Sequence, residues 1–224
     1  MTTPVIRFYF DYISPYAYLA WTQLGALAAR HGRTVEPVPI LFAALLNHGG
    51  QKGPAEIPAK RIWVWKDTLR TARKLGLPLV PPPTHPFNPL VALRVTGLVE
   101  DPDAQRRLID ALYQETWGGG AGIESATAVE RIVTALGLDG GALLAAAAEP
   151  AAKERLRRAT DEAIAANVFG VPTMRVTGDG RDELFWGYDS FGHLEDHLRG
   201  EDPLLPEDMA RWQNLPASAR RQIS

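Results

Sequence analysis

Strand pattern stands at the two ends of this chain and helix pattern fills the space between. That arrangement limits the fold more than any other feature. Over residues 5–10 the side chains alternate, Ile6, Phe8 and Phe10 on one face and Val5, Arg7 and Tyr9 on the other, which is the period of a strand. Ala20, Leu24, Leu27 and Ala28 then recur at helical spacing, with Gly32 placed to stop the helix. Residues 34–41 read as strand again, but Pro37 and Pro39 cannot donate to a ladder and so put it at a sheet edge. Strand, helix, strand in this order predicts a right-handed βαβ unit. Near the other end, residues 173–176 and 183–186 read as short strands around a Gly178-Asp179-Gly180 turn, with a helix over about 190–198 behind them.

Between these blocks the chain is rich in alanine and leucine, with helical periodicity over 59–75, 88–99, 103–117, 126–136 and 150–168. Pro78, Pro81, Pro82, Pro83 and Pro86 make a rigid connector. The glycines at 118, 119, 120 and 122 make a flexible one. That glycine run follows a helix and lacks a Lys-Ser/Thr ending, so it is not a phosphate loop. A βαβ unit joined to a ββα unit through helices is the layout of an α/β thioredoxin-like fold with a large inserted α-helical domain. The expected division is 1–42 and 169–200 for the thioredoxin-like part, 43–168 for the insertion and 201–224 for a polar, proline-punctuated tail.

Composition removes whole classes of function. None of the 224 residues is cysteine, which excludes disulfides, thiolate metal sites and a thiol nucleophile belonging to the protein. Any sulfur chemistry must come from a bound ligand. A formal charge of −2 offers no general attraction to nucleic acid or to an anionic membrane. The N-terminus enters strand pattern at once, and no apolar run reaches membrane-spanning length, so a cytoplasmic protein without membrane or nucleic-acid partners is expected. His193 and His197 share a helical face but have no third ligand near them in sequence, so no metal is expected.

The first strand gives way to the first helix at Ser14-Pro15-Tyr16-Ala17, the place where a thioredoxin-fold redox protein carries C-x-x-C. Ser14 before Pro15 is an ordinary helix cap, its oxygen accepting a backbone N–H. A helix N-terminus is also an anion site. A ligand thiolate held there would be stabilised by the helix dipole and by the hydroxyl proton. Lowering a thiol from about 8.5 by about two units needs about 2.7 kcal/mol. A dipole term of up to ~2 kcal/mol and a hydrogen bond to an ion of ~1.5–3 kcal/mol suffice for that. At the second joint, Gly170-Val171-Pro172-Thr173, a cis proline would expose the backbone of Val171 beside Ser14, ready to pair with a peptide-like ligand.

"FYFDYISPYAYLA" (8–20) and "FGVPT" (169–173) carry a resemblance, with "GPAEIPAKR" (53–61), "HPFNPLVALR" (85–94) and "FWGYD" (185–189) following in the same order. In these segments the chain resembles the glutathione-dependent 2-hydroxychromene-2-carboxylate isomerases and the kappa-class glutathione transferases, both of the DsbA-like thioredoxin-fold group. The resemblance implies glutathione as cofactor, with Ser14 at its sulfur and catalytic through it. It implies backbone pairing by Val171 before Pro172, a contact from Lys60, and Asp189 with Tyr188 at the γ-glutamyl end. Gln51 stands where the family commonly has asparagine, and Ser190 where many members have arginine. The implied activity is isomerisation of 2-hydroxychromene-2-carboxylate or a similar aromatic catabolite. The alternatives are a kappa-type transferase or peroxidase and a non-catalytic glutathione-binding protein. A homodimer is also implied. The small aromatic substrate is expected in a pocket between core and insertion, lined by Tyr12, Phe42, Trp63, Trp65, Phe87 and Asn88.

Overall fold

In a computed structural model describing residues 4–178, 181–216 and 218, the sheet is built around the first strand, β1 (Val5–Phe10). β2 (Thr34–Pro39) runs parallel to it, with Val5 opposite Thr34 and Phe10 opposite Pro39. β3 (Thr173–Gly178) lies antiparallel on its other side, with Tyr9 opposite Thr173, and β4 (Arg181–Trp186) pairs antiparallel with β3. The order β2-β1-β3-β4 puts proline-containing β2 at an edge, as its missing donors require. Of the expected turn between β3 and β4, Asp179 and Gly180 lie outside the described residues.

α1 (Pro15–Arg30) leads from β1 to β2. Between β2 and β3 come α2 (Phe42–His48), α3 (Pro58–Leu75), α4 (Leu90–Leu98), α5 (Pro102–Trp117), α6 (Ala126–Ala135), α7 (Gly140–Ala148) and α8 (Pro150–Ala165). α9 (Phe191–Arg199) follows β4, and α10 (Pro206–Gln213) lies in the tail. The starts are written in side chains. Ser14, Asp101, Ser125 and Asp139 each accept a backbone N–H from three residues on, capping α1, α5, α6 and α7. α3 stops at Gly76, whose φ of 67° is the left-handed conformation that glycine adopts without cost.

Ile6, Phe8 and Phe10 are fully buried on the α1 side of β1, where Phe8 stacks on Phe10 with ring centroids 5.5 Å apart. Tyr12 continues the row against Phe10 and against Tyr113 of α5, at 5.3 and 4.9 Å. On the other face Tyr9 joins Ile40, Leu45, Val168 and Val171. The sheet is thus covered on both sides at the C-terminal end of β1, where the chain turns into α1. No helix among the described residues is long and apolar enough to cross a membrane.

Candidate active site

β1 and β3 are antiparallel neighbours, so the exit of β1 toward Ser14 lies beside the entry of β3 after Pro172. Ser14 is 8% exposed, and its Oγ accepts the N–H of Ala17 at 3.2 Å. It is a helix cap, yet capping uses only a lone pair of the hydroxyl oxygen. The O–H remains available as a donor at the positive end of α1. Capping and donation to an anion are therefore compatible at this residue.

The turn that presents Ser14 is held from every side. The carboxylate of Asp11, 1% exposed, accepts the N–H of Ile13 at 3.1 Å through Oδ1 and the N–H of Phe42 at 3.0 Å through Oδ2. The Asp11 carbonyl accepts the N–H of Ser14 at 3.2 Å. Trp117, the last residue of α5, donates from Nε1 to the Tyr12 carbonyl at 2.8 Å. His85 donates from Nε2 to the Ile13 carbonyl at 3.0 Å, the tautomer that an acceptor-only carbonyl requires. Burial pushes the Asp11 carboxyl up to about 7 against its two backbone donors. Burial, reinforced by the charge of Arg61, pushes His85 down even though its bond to Ile13 opposes this. Sequence reasoning missed Asp11, His85 and Trp117 as parts of the site. The only local sign was a carboxylate two residues ahead of an apolar turn.

At the second joint the Val171–Pro172 bond is cis. Among the described residues neither the N–H nor the C=O of Val171 is taken up by a hydrogen bond, whereas its neighbours are engaged. Thr173 Oγ1 donates to the Gly170 carbonyl at 2.8 Å, and the Gly187 N–H donates to the Pro172 carbonyl at 2.9 Å. An open donor and acceptor on one residue at the entry of β3 can pair with an extended peptide.

Gly187 has a φ of 86°, and a Cβ there would meet Asp189 Oδ1 at 2.4 Å, so the Asp189 carboxylate folds back over this turn. The negative charges of Asp67 and Asp189 bear on Tyr16 in the first turn of α1, whose hydroxyl donates to Asp67 at 2.9 Å. Tyr188 instead packs on Phe191, ring centroids 5.1 Å apart, and lines a groove against α1 with Gln23 and Leu27. Gln51 lies in a separate groove of about 310 Å³, with Leu45, Ile164 and Phe169, on the α2–α8 side. Tyr188 and Gln51 therefore line different grooves. Lys60 is exposed in the first turn of α3.

Of the residues expected to line a pocket, Tyr12 is fully buried with its hydroxyl bonded to Thr96 Oγ1 at 2.7 Å. It belongs to the core because it extends the inward row of β1. Phe87 is also buried, and Asn88 Oδ1 accepts the N–H of Leu90 at the start of α4. Phe42 is half-buried. Trp63 and Trp65 are 59% and 36% exposed on α3, with the Arg61 guanidinium 5.5 Å over the Trp65 ring. On α9, His197 is tied to Asp202 through Nδ1 at 2.9 Å.

A family profile described as a DSBA-like thioredoxin domain matches residues 5–199. A 2-hydroxychromene-2-carboxylate isomerase of Sphingobium xenophagum is 32% identical over 200 residues, spanning 88% of this chain and 98% of the relative. Glutathione S-transferase kappa 1 of Caenorhabditis elegans is 28% identical over 214 residues, spanning 90% and 93%. The solved structure of a 2-hydroxychromene-2-carboxylate isomerase superposes with a TM-score of 0.78 at 27% identity, over 93% of this chain and 97% of the other.

Proposed function

Since the chain belongs to the DsbA-like thioredoxin family, in the group of the 2-hydroxychromene-2-carboxylate isomerases and their kappa-class transferase relatives, we propose that it is a glutathione-dependent isomerase of 2-hydroxychromene-2-carboxylate or a similar aromatic catabolite. The observation that carries this reading is the capping geometry of Ser14, which leaves a hydroxyl donor at the N-terminus of α1, with the open backbone of Val171 at the entry of the neighbouring strand.

In this reading the chain supplies no nucleophile and acts by binding and orienting. The N–H and C=O of Val171, before Pro172, receive the cysteinyl unit as an added strand edge. Ser14 donates to the sulfur, and the α1 dipole favours its anionic form. Asp189 and Lys60 hold charged ends of the tripeptide, and Gln51 offers its amide from the α2 side. Trp63 and Trp65 form apolar walls for an aromatic substrate. Glutathione held there would supply a thiolate nucleophile for reversible addition to a conjugated double bond.

The test is a stoichiometric assay. Purified protein is given 2-hydroxychromene-2-carboxylate with glutathione far below the substrate concentration. Benzylidenepyruvate formed in many-fold excess over glutathione, with the free thiol titre unchanged, is the expected result. Loss of thiol in proportion to product would replace this reading with a transferase, the second reading favoured by the kappa-class relative.

A further inference from the structure

We propose that Asp11 is a positioning residue of the Ser14 turn that takes up a proton as a thiolate forms there, so that the buried turn never carries two negative charges. The inference rests on the reading of this turn as a glutathione thiolate site. The balance is simple. The S–H bond of the thiol breaks with its electron pair left on sulfur, and an O–H bond forms on the Asp11 carboxylate. Where Asp11 starts ionised, protein and ligand together neither gain nor lose a proton, and nothing is oxidised or reduced.

Asp11 is buried, and both of its oxygens are held by backbone N–H groups, one of them on the residue before Ser14. Its own carbonyl receives the Ser14 N–H, so carboxylate and thiolate site share one tight turn. No salt bridge reaches Asp11 among the described residues. The titratable groups facing it bring no compensating charge. Tyr12 in the same turn and Tyr113 of α5 are neutral rings whose hydroxyls are pushed further up by the Asp11 charge. His85, on the Ile13 carbonyl, is pushed toward its neutral form, with Arg61 of α3 acting on His85 rather than on Asp11. Tyr16 in the first turn of α1 faces Asp67 and Asp189, which add negative charge. α2 meets Asp11 through the Phe42 N–H alone, and α8 reaches the adjoining residue by Thr160 Oγ1, which accepts the Leu41 N–H.

An anion brought to Ser14 thus meets a carboxylate with nothing to neutralise it but a proton. Like charges in one site cannot both persist, and the more deeply buried one is protonated. The carboxyl pushed up to about 7 by burial sets the range in which this exchange operates. Below that range Asp11 is already neutral and thiolate formation sends its proton to solvent. Above it, Asp11 retains that proton.

The experiment is calorimetric titration with reduced glutathione in buffers of different ionisation enthalpy, with the thiolate followed by its ultraviolet absorbance. Wild type is expected to release about one proton per thiolate formed near pH 6 and close to none near pH 8. Asp11→Asn is expected to release nearly one at both. A purely structural Asp11 would leave the proton count alone, so equal counts at both pH values in both proteins overturn the inference. If no thiolate absorbance appears in wild type, the glutathione reading itself fails and this inference falls with it. Should Asp11→Asn not fold, a difference infrared spectrum of wild type at pH 8 decides. Glutathione is expected to add the carbonyl band of a protonated carboxylic acid, and its absence overturns the inference.

Discussion

His85 donates to the carbonyl of Ile13 at 3.0 Å, so a residue of the proline-rich connector holds the peptide bond that leads into Ser14. Trp117, from the end of α5, grips the preceding carbonyl in the same way. The helices between β2 and β3 therefore do more than roof the sheet. They fix the backbone on which the Ser14 hydroxyl is carried.

Replacing His85 by alanine leaves the Ile13 carbonyl without its donor. Loss of a hydrogen bond with a partly buried acceptor left unpaired costs about 1–3 kcal/mol, read as a lowered denaturant midpoint. Because the affected carbonyl adjoins Ser14, glutathione affinity is expected to fall as well. His85→Gln keeps an N–H donor and is expected to recover part of both. Unchanged affinity in His85→Ala would mean that the turn keeps its shape without this grip.

In the proposed function Ser14 has two roles that different substitutions separate. Glycine at a helix cap costs only roughly a few tenths of a kcal/mol relative to serine, whereas alanine costs about 1 kcal/mol. Both remove the hydroxyl donor, worth about 1.5–3 kcal/mol toward an anion, or roughly one to two pKa units on the bound thiol. Ser14→Gly is therefore expected to melt close to wild type yet raise the apparent pKa of bound glutathione as far as Ser14→Ala does. The measurement is thiolate absorbance against pH. A Ser14→Gly profile that overlays wild type would reduce Ser14 to a cap.

The strands at both ends, the edge position of β2 and most helices were legible in the sequence because period and capping carry them locally. α2 was not, since Leu41 offers no capping side chain and seven residues are too few for a helical period to stand out. α7 was hidden by its opening glycines, although Asp139 marked its start. At the site, Ser14 and Val171-Pro172 stood out because each joint has its own signature. Tyr12 was assigned to a pocket because an aromatic beside a catalytic turn looks the same in sequence whether it faces a ligand or Tyr113. The bonds from His85 and Trp117 join residues 72 and 105 positions apart, and no local pattern encodes such a distance.

Gly187 tests the other end of the candidate site. Its φ of 86° disfavours any side chain, and an added Cβ would meet Asp189 Oδ1 at 2.4 Å. Gly187→Ala is expected to cost about 1–3 kcal/mol in stability and to push the Asp189 carboxylate out of place. If Asp189 holds the γ-glutamyl end, glutathione affinity falls several-fold while the thiolate pKa, set at Ser14, stays put. Equal glutathione affinity in Gly187→Ala and wild type would remove Asp189 from the site.

Asp11 leaves a mark on stability that needs no ligand. Its carboxyl is raised from 3.8 to about 7 by burial. Between those values the unfolded chain has lost the proton that the folded chain still holds. The folded state therefore binds more protons there, and its stability falls as pH rises. The contribution is complete below about 4, declines across the interval and is gone above about 7, amounting to about 4 kcal/mol at most. Asp11→Asn stays neutral throughout and loses one acceptor, since its amide turns N–H toward Phe42 N–H, an offset independent of pH. Denaturant unfolding at a series of pH values gives the difference between the two proteins, in which the other carboxylates cancel. That difference is expected to move in favour of the asparagine variant from pH 4 to pH 7 and then level off. A difference constant across this range would mean that Asp11 ionises in the folded protein as it does in the unfolded chain.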